Sequence, residues 1–157
     1  MGEVGGSGEF GPERFVAAQD EGDTFDQALT ELRAGRKRTH WMWFVFPQVA
    51  GLGSSPMAVR FALGSIGDAA DYLGHPVLGD RLRTATDALL RLEPGTGTAD
   101  EILGPVDAMK LQSSMTLFAM ADPGDPRFAQ VLDRYFDGIP DLRTERLIDP
   151  TGRGHFL

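Results

Sequence analysis

The stretch VDAMKLQSSMTLFAMA, opened by Pro105 and closed by Pro123, decides more about the fold than any other part of the chain. Proline suits the first turn of a helix and ends one further on. On a helix, Val106, Met109, Leu111, Met115, Leu117 and Phe118 cover most of the circumference. A helix that apolar has to be enclosed by others. The rest of the chain supplies them. Thr24 can cap a helix to Ala34, with Phe25, Ala28, Leu29 and Leu32 at helical spacing and Gly35 as its stop. Pro12 suits the start of an earlier helix carrying Phe15 and Ala18. Ser65 can cap a helix with Ala69, Ala70 and Leu73 inward, and Leu78, Leu82, Ala85, Leu89 and Leu92 recur at spacings of three or four over 76–92. The run TADE at 98–101 is a capping box, and 127–136 and 141–148 give two last helices. No segment alternates cleanly. The expected class is all-α, a compact single-domain multi-helix bundle with a buried central helix.

The run RTHWMWFVFPQ, from Arg38, is apolar at almost every position, so its periodicity is silent. As a strand it would stand nearly alone, with its backbone groups unsatisfied. The pattern therefore predicts a buried helix over 38–46 ended by Pro47, with Lys37, His40 or Trp41, Phe44 and Gln48 sharing a face.

A chain of 157 residues is long enough for one domain with its own core. Residues 1–11 are too glycine-rich to pack and read as a flexible tail, 12–150 as the helical domain, and 151–157 as a C-terminal tail. The net charge of −8 speaks against a nucleic-acid partner, which calls for a basic face. No apolar run is long enough to span a membrane and no signal peptide is visible, so no membrane partner is expected. With no cysteine, thiolate catalysis and zinc–sulfur sites are excluded, and a cytoplasmic location fits. The basic cluster Arg33, Arg36, Lys37 and Arg38 reads either as a solvated helix end or as a rim that attracts an anion. Thirteen arginines stand against two lysines, Lys37 and Lys110. A lysine kept under such bias hints at a need for a compact, rotatable ammonium.

Asp107, Lys110 and Ser114 fall on one stripe of the central helix. They form either a surface ion pair of a few tenths of a kcal/mol, or the polar lining of a cavity. His40 is a hydrogen-bonded structural residue or a proton carrier. Trp41 and Trp43 are core or stacking platform, and Gln48 can read an amide or a base edge. The loop GLGSS, with Gly51 and Gly53, is a turn with a helix cap or an anion cradle, and it matches no Walker or Rossmann pattern. The three histidines have no metal-ligand spacing, so neither metal nor cofactor is expected. The candidates are thus His40, Asp107 and Lys110 for proton chemistry, and Lys37, Trp41, Trp43, Gln48, Gly51, Gly53, Ser113 and Ser114 for ligand binding. The expected site is a pocket between the aromatic segment and the central helix. Its small-molecule ligand would be anionic and partly aromatic, a nucleotide or an ADP-ribose-like compound, with hydrolysis left open. The alternative is a non-catalytic protein-interaction or homodimerisation module.

The stretches AGRKRTHWMWFVFPQVAGLGSSPMA, AADYLGHPVLGDRL, DAMKLQSSMTLF and VLDRYFDG closely resemble a family of small bacterial and fungal proteins of unknown function. Some of its members carry the label "calpastatin". The resemblance runs from about Thr24 to Ile148 and implies an all-helical fold but no activity. The label would mean an inhibitor of calcium-dependent proteases; such inhibitors are long disordered chains, and this is a compact domain. Phe61 and Gln112 depart from the family's pattern, where tyrosine and arginine or another polar residue are usual.

Overall fold

The computed structural model describes residues 10–151. The chain runs through α1 (Pro12–Asp20), a 3₁₀ turn (Glu21–Asp23), α2 (Thr24–Ala34), α3 (Met42–Val45), α4 (Pro56–Arg60), α5 (Ile66–Gly74), α6 (Leu78–Arg91), α7 (Ala99–Leu103), α8 (Pro105–Ala121), α9 (Arg127–Phe136) and α10 (Leu142–Ile148). Among the described residues no strand forms. A lone parallel bridge joins Val49 and Leu63, tying the loop after α3 to the residues after α4. No described helix is long and apolar enough to cross a membrane.

The central helix is α8. From Leu111 to Ala119 only Gln112 escapes burial, and α5, α7, α9 and α10 all pack on it. Its first turns differ from expectation, because Val106 and Met109 are 66% and 61% exposed. Ala108, in the same turns, is buried, so only one side of the helix start is open. Around α8 the core is rich in rings. Tyr72 meets Phe15 edge-on at 5.2 Å and Phe118 at 5.6 Å, and Phe128 follows at 5.8 Å from Phe118.

Several helix boundaries follow from local chemistry. Ser65 accepts from the Asp68 N–H, and Thr98 and Glu101 form the reciprocal capping box. The His75 ring accepts from the Val77 and Leu78 N–H groups and so starts α6. Gly35 ends α2 in the left-handed region at φ 73°. Two local expectations fail. Thr24 does not cap α2: its hydroxyl donates to the Glu21 carbonyl, and left-handed Asp23 precedes the helix. Ala70 faces solvent.

The larger correction concerns the aromatic run, in which only Met42–Val45 is helical. The cause is Glu31 on α2. Its carboxylate accepts the Arg38 N–H at 2.8 Å, the Thr39 N–H at 3.1 Å and the Trp41 indole N–H at 2.9 Å. Those two backbone donors would head the predicted helix, whose first N–H groups have no partner of their own. Glu31 satisfies them in a non-helical conformation instead. The shared face of Lys37, His40, Phe44 and Gln48 is lost with the helix.

Of the tail expected over 1–11, Phe10 and Gly11 are described. Phe10 is buried, 6.1 Å from Phe15 and 6.0 Å from Tyr72, and the Arg14 guanidinium clasps the carbonyls of Phe10, Gly11, Arg60 and Ala62. Residues 1–9, and 152–157 of the expected C-terminal tail, lie outside the described residues.

Candidate functional site

Three charged side chains meet at the start of α8. Lys37 is fixed through its backbone N–H, which donates to the Ile102 carbonyl at 2.8 Å. Its ammonium lies 2.9 Å from one oxygen of Asp107, while Lys110 approaches the other oxygen at 3.4 Å. Both lysines of the chain therefore sit on one carboxylate. Each also covers a tryptophan, Lys37 over Trp41 at 4.9 Å and Lys110 over Trp43 at 4.6 Å. Lys37 is thus no part of a solvated helix end: its side chain is only 8% exposed and also donates to the Thr39 carbonyl.

Beneath this cluster Glu31 anchors the segment that delivers Lys37 and both tryptophans. Burial pushes its carboxyl up, but hydrogen bonds from the Thr39 hydroxyl, the Arg38 N–H, the Gln27 amide and the Trp41 indole outweigh it and bring it to about 2. On the other flank of α3, Gln19 donates to the Phe44 carbonyl at 2.7 Å and to the Tyr72 hydroxyl at 3.1 Å. The short helix bearing Trp43 is therefore held on both sides by buried polar groups.

A cleft of about 260 Å³ opens beside Lys110. Trp43 and Gln48 form one side, Leu52, Gly53, Ser54, Ser55 and Ala58 the second, and Val106, Met109, Lys110 and Ser113 of α8 the third, with Arg143 of α10 at its edge. Two glycines shape the loop. Gly51 has φ 103°, and a Cβ there would press on Leu147 at 3.1 Å; at Gly53 it would lie 2.8 Å from Ala58. Ser55 caps α4 by accepting from the Ala58 N–H. Ser113 donates to the Met109 carbonyl and to Asp141, which caps α10 and donates its own N–H to the Thr116 hydroxyl oxygen. Those bonds staple α10 to α8 and set Arg143 over the cleft.

Of the residues singled out in the sequence, Trp43, Gln48, Gly53, Lys110 and Ser113 line this cleft, and Asp107 and Lys37 stand directly behind Lys110. The others are not brought to it. Trp41 is completely buried, its indole committed to Glu31. Gly51 faces Leu147. His40 lines a separate, broader hollow of about 510 Å³ with Asp23, Asp26, Thr30 and Thr39. That hollow is the larger of the two, yet two carboxylates and no tryptophan, tyrosine or phenylalanine line it. Sequence reasoning missed Arg143 and Glu31. Among the described residues, no group of three or more histidines and carboxylates is placed to hold a metal.

Ser114 is fully buried, and its hydroxyl is the one buried side-chain oxygen without a partner among the described residues. An unsatisfied hydroxyl costs about 1–3 kcal/mol, whereas its removal leaves only a small void. Ser114→Ala is accordingly expected to melt at or slightly above the wild-type temperature. Ser113→Ala, which strips a bond to the α10 cap, should melt lower. A marked loss of stability in Ser114→Ala would show that the hydroxyl is satisfied after all.

No curated protein matches this chain. It resembles the crystal structure of the conserved hypothetical protein Rv1873 from Mycobacterium tuberculosis, with a TM-score of 0.85 and 46% identity, over 89% of this chain and 97% of that one. A family model described as a protein of unknown function (DUF1810) matches residues 9–148, which take in every element from α1 to α10 and the whole cleft, and the chain belongs to that family.

Proposed function

We propose that the cleft between α3, the loop before α4 and the first half of α8 binds a small anionic metabolite that carries a flat ring. One observation carries this reading. In a chain with 23 acidic residues against 15 basic ones, the cleft is lined by two cations, Lys110 and Arg143, and by no carboxylate. The acids are not far away, since Asp107 and Asp141 lie just behind the wall. There they are occupied by Lys37 and Lys110, and by the α10 cap. Trp43 offers the ring a stacking face, Leu52, Val106 and Met109 an apolar wall, and Gln48 an amide. A ligand pocket usually spans about 300–1,000 Å³. At about 260 Å³, this cleft suits a ring with one anionic group better than a whole dinucleotide.

Binding is the part of the reading that the geometry supports. Asp107 is engaged by two ammoniums and His40 belongs to another hollow, so no proton-transfer step is assigned. Thermal shift and tryptophan fluorescence test it with nucleosides, nucleotides and sugar phosphates on wild type, Trp43→Phe and Lys110→Ala. A bound compound at about 100 times its Kd stabilises by about 2.7 kcal/mol, an easily read shift in Tm. The expected result is a shift in wild type with one class of compound, weaker in both variants, and a fluorescence change that Trp43→Phe abolishes. No shift with any compound, together with self-association in sedimentation, would favour an interaction module instead. For that reading the exposed Val106, Met109, Ile139 and Leu142 are the supporting feature.

A further inference from the structure

Resting on that reading, we infer that the anionic group is a phosphate monoester in its dianionic form, received jointly by Lys110 and Arg143, and that Lys110 couples its arrival to opening of the Trp43 face.

Charge sets the class. Lys37 and Asp107 lie at 2.9 Å and offset one another, while Lys110 stands at a looser 3.4 Å from the same carboxylate. Arg143 has no ion pair among the described residues. The cleft therefore presents close to two uncompensated positive charges and no negative one. A carboxylate or a phosphodiester would offset one of them. A phosphate monoester carries roughly −1.5 to −2 at neutral pH, and three oxygens for the guanidinium fork and the ammonium to share. The volume admits one such group beside one ring.

As the structure stands, the Lys110 ammonium lies over the Trp43 ring at 4.6 Å, on the face a planar ligand would use. A neutral ring must displace that cation and gives it nothing in return. A phosphate oxygen draws the same ammonium away as it binds, and the indole face is uncovered in the same event. Ring and phosphate are thus recognised together, and a ligand bearing both binds better than its two halves suggest. A flexible four-carbon stem can make this move; arginine's rigid plane would stay stacked on the indole. This gives a physical reason for a lysine at position 110 in an arginine-rich chain.

The experiment uses the full chain and four probes in one binding titration: adenosine, adenosine 5′-monophosphate, its 5′-methyl ester (a phosphodiester with a single charge), and inorganic phosphate. Hydrogen bonds to charged groups are worth about 1.5–3 kcal/mol, or about tenfold or more in affinity. The monophosphate should therefore bind at least about tenfold tighter than the methyl ester, and the ester tighter than adenosine. Arg143→Met, at an exposed position, should erase the gap between monophosphate and ester while leaving adenosine unchanged. Lys110→Ala should weaken the monophosphate and leave adenosine unchanged or tighter, because the cover over Trp43 is gone. Equal affinity for the monophosphate and the methyl ester would overturn the dianion, and weaker adenosine binding by Lys110→Ala would overturn the cover. Either result leaves the cleft as a ligand site. Should none of the probes bind wild type, this inference and the underlying reading fall together.

Discussion

Glu31→Ala should lower the stability of the fold by about 3 kcal/mol at neutral pH and flatten its response to acid. The size follows from the carboxyl itself, which is held at about 2 instead of 4.5. That drop is worth about 3 kcal/mol of preferential interaction with the ionised form, at about 1.36 kcal/mol for each tenfold change. The direction is fixed by linkage. Because the folded value lies below the unfolded one, the unfolded chain binds more protons between them, and stability rises with pH there. The contribution is complete above about 4.5 and is lost as pH falls toward 2. Glu31→Gln should cost less, since its amide oxygen can still accept from the Arg38 and Thr39 N–H groups and the Trp41 indole, which share one carboxylate oxygen, and its nitrogen faces only the Thr39 hydroxyl and the Gln27 amide, the donors to the other. Urea unfolding of wild type and both variants, repeated from pH 7 down to pH 2.5, reads size and slope together. At neutral pH the Tm should fall by roughly 6–12 °C. Variants that keep the wild-type acid slope would show that another carboxylate carries it.

The same residue explains where the sequence was legible and where it was not. Helix starts at Ser65, Thr98 and Pro105 are written within a few residues of where they act, so local chemistry is enough to read them. The aromatic run has no internal contrast, and its conformation is decided by a carboxylate ten positions before Trp41. Glu31 looks like any polar residue of an amphipathic helix until the fold brings the run against it. The site divides in the same way. Asp107 and Lys110 are neighbours on α8 and were visible as a pair, and Lys37 stood out by the scarcity of lysine. His40 was grouped with them on the strength of a helix that does not form. Trp41 and Trp43 are two residues apart, yet one belongs wholly to the core and the other to the cleft. Arg143 could not be told from Arg146 by composition or spacing; only the packing of α10 on α8 separates them.

Asp107 should matter most for stability among the three charged residues at the site, and the order of costs separates an ion pair from a counter-charge. Asp107→Ala leaves the Lys37 ammonium nearly buried, with the Thr39 carbonyl as its remaining close acceptor. Stranding one member of a buried pair typically costs about 3–5 kcal/mol, and Lys37 is shielded enough to approach the lower figure. Lys37→Met removes the charge that needs shielding and keeps the stem over Trp41; Asp107 then retains Lys110, so the loss should stay near 1 kcal/mol. Lys110→Ala should cost least, because its ammonium reaches solvent and its ion pair is the longer. In the double variant Lys37→Met/Asp107→Ala neither charge is left behind, so it should be more stable than Asp107→Ala alone. Denaturant melts of the four proteins close this cycle. If the double variant is no better than Asp107→Ala, the carboxylate is not there to neutralise Lys37; it then offsets Lys110, and the positive charge available to a ligand in the cleft is smaller than two.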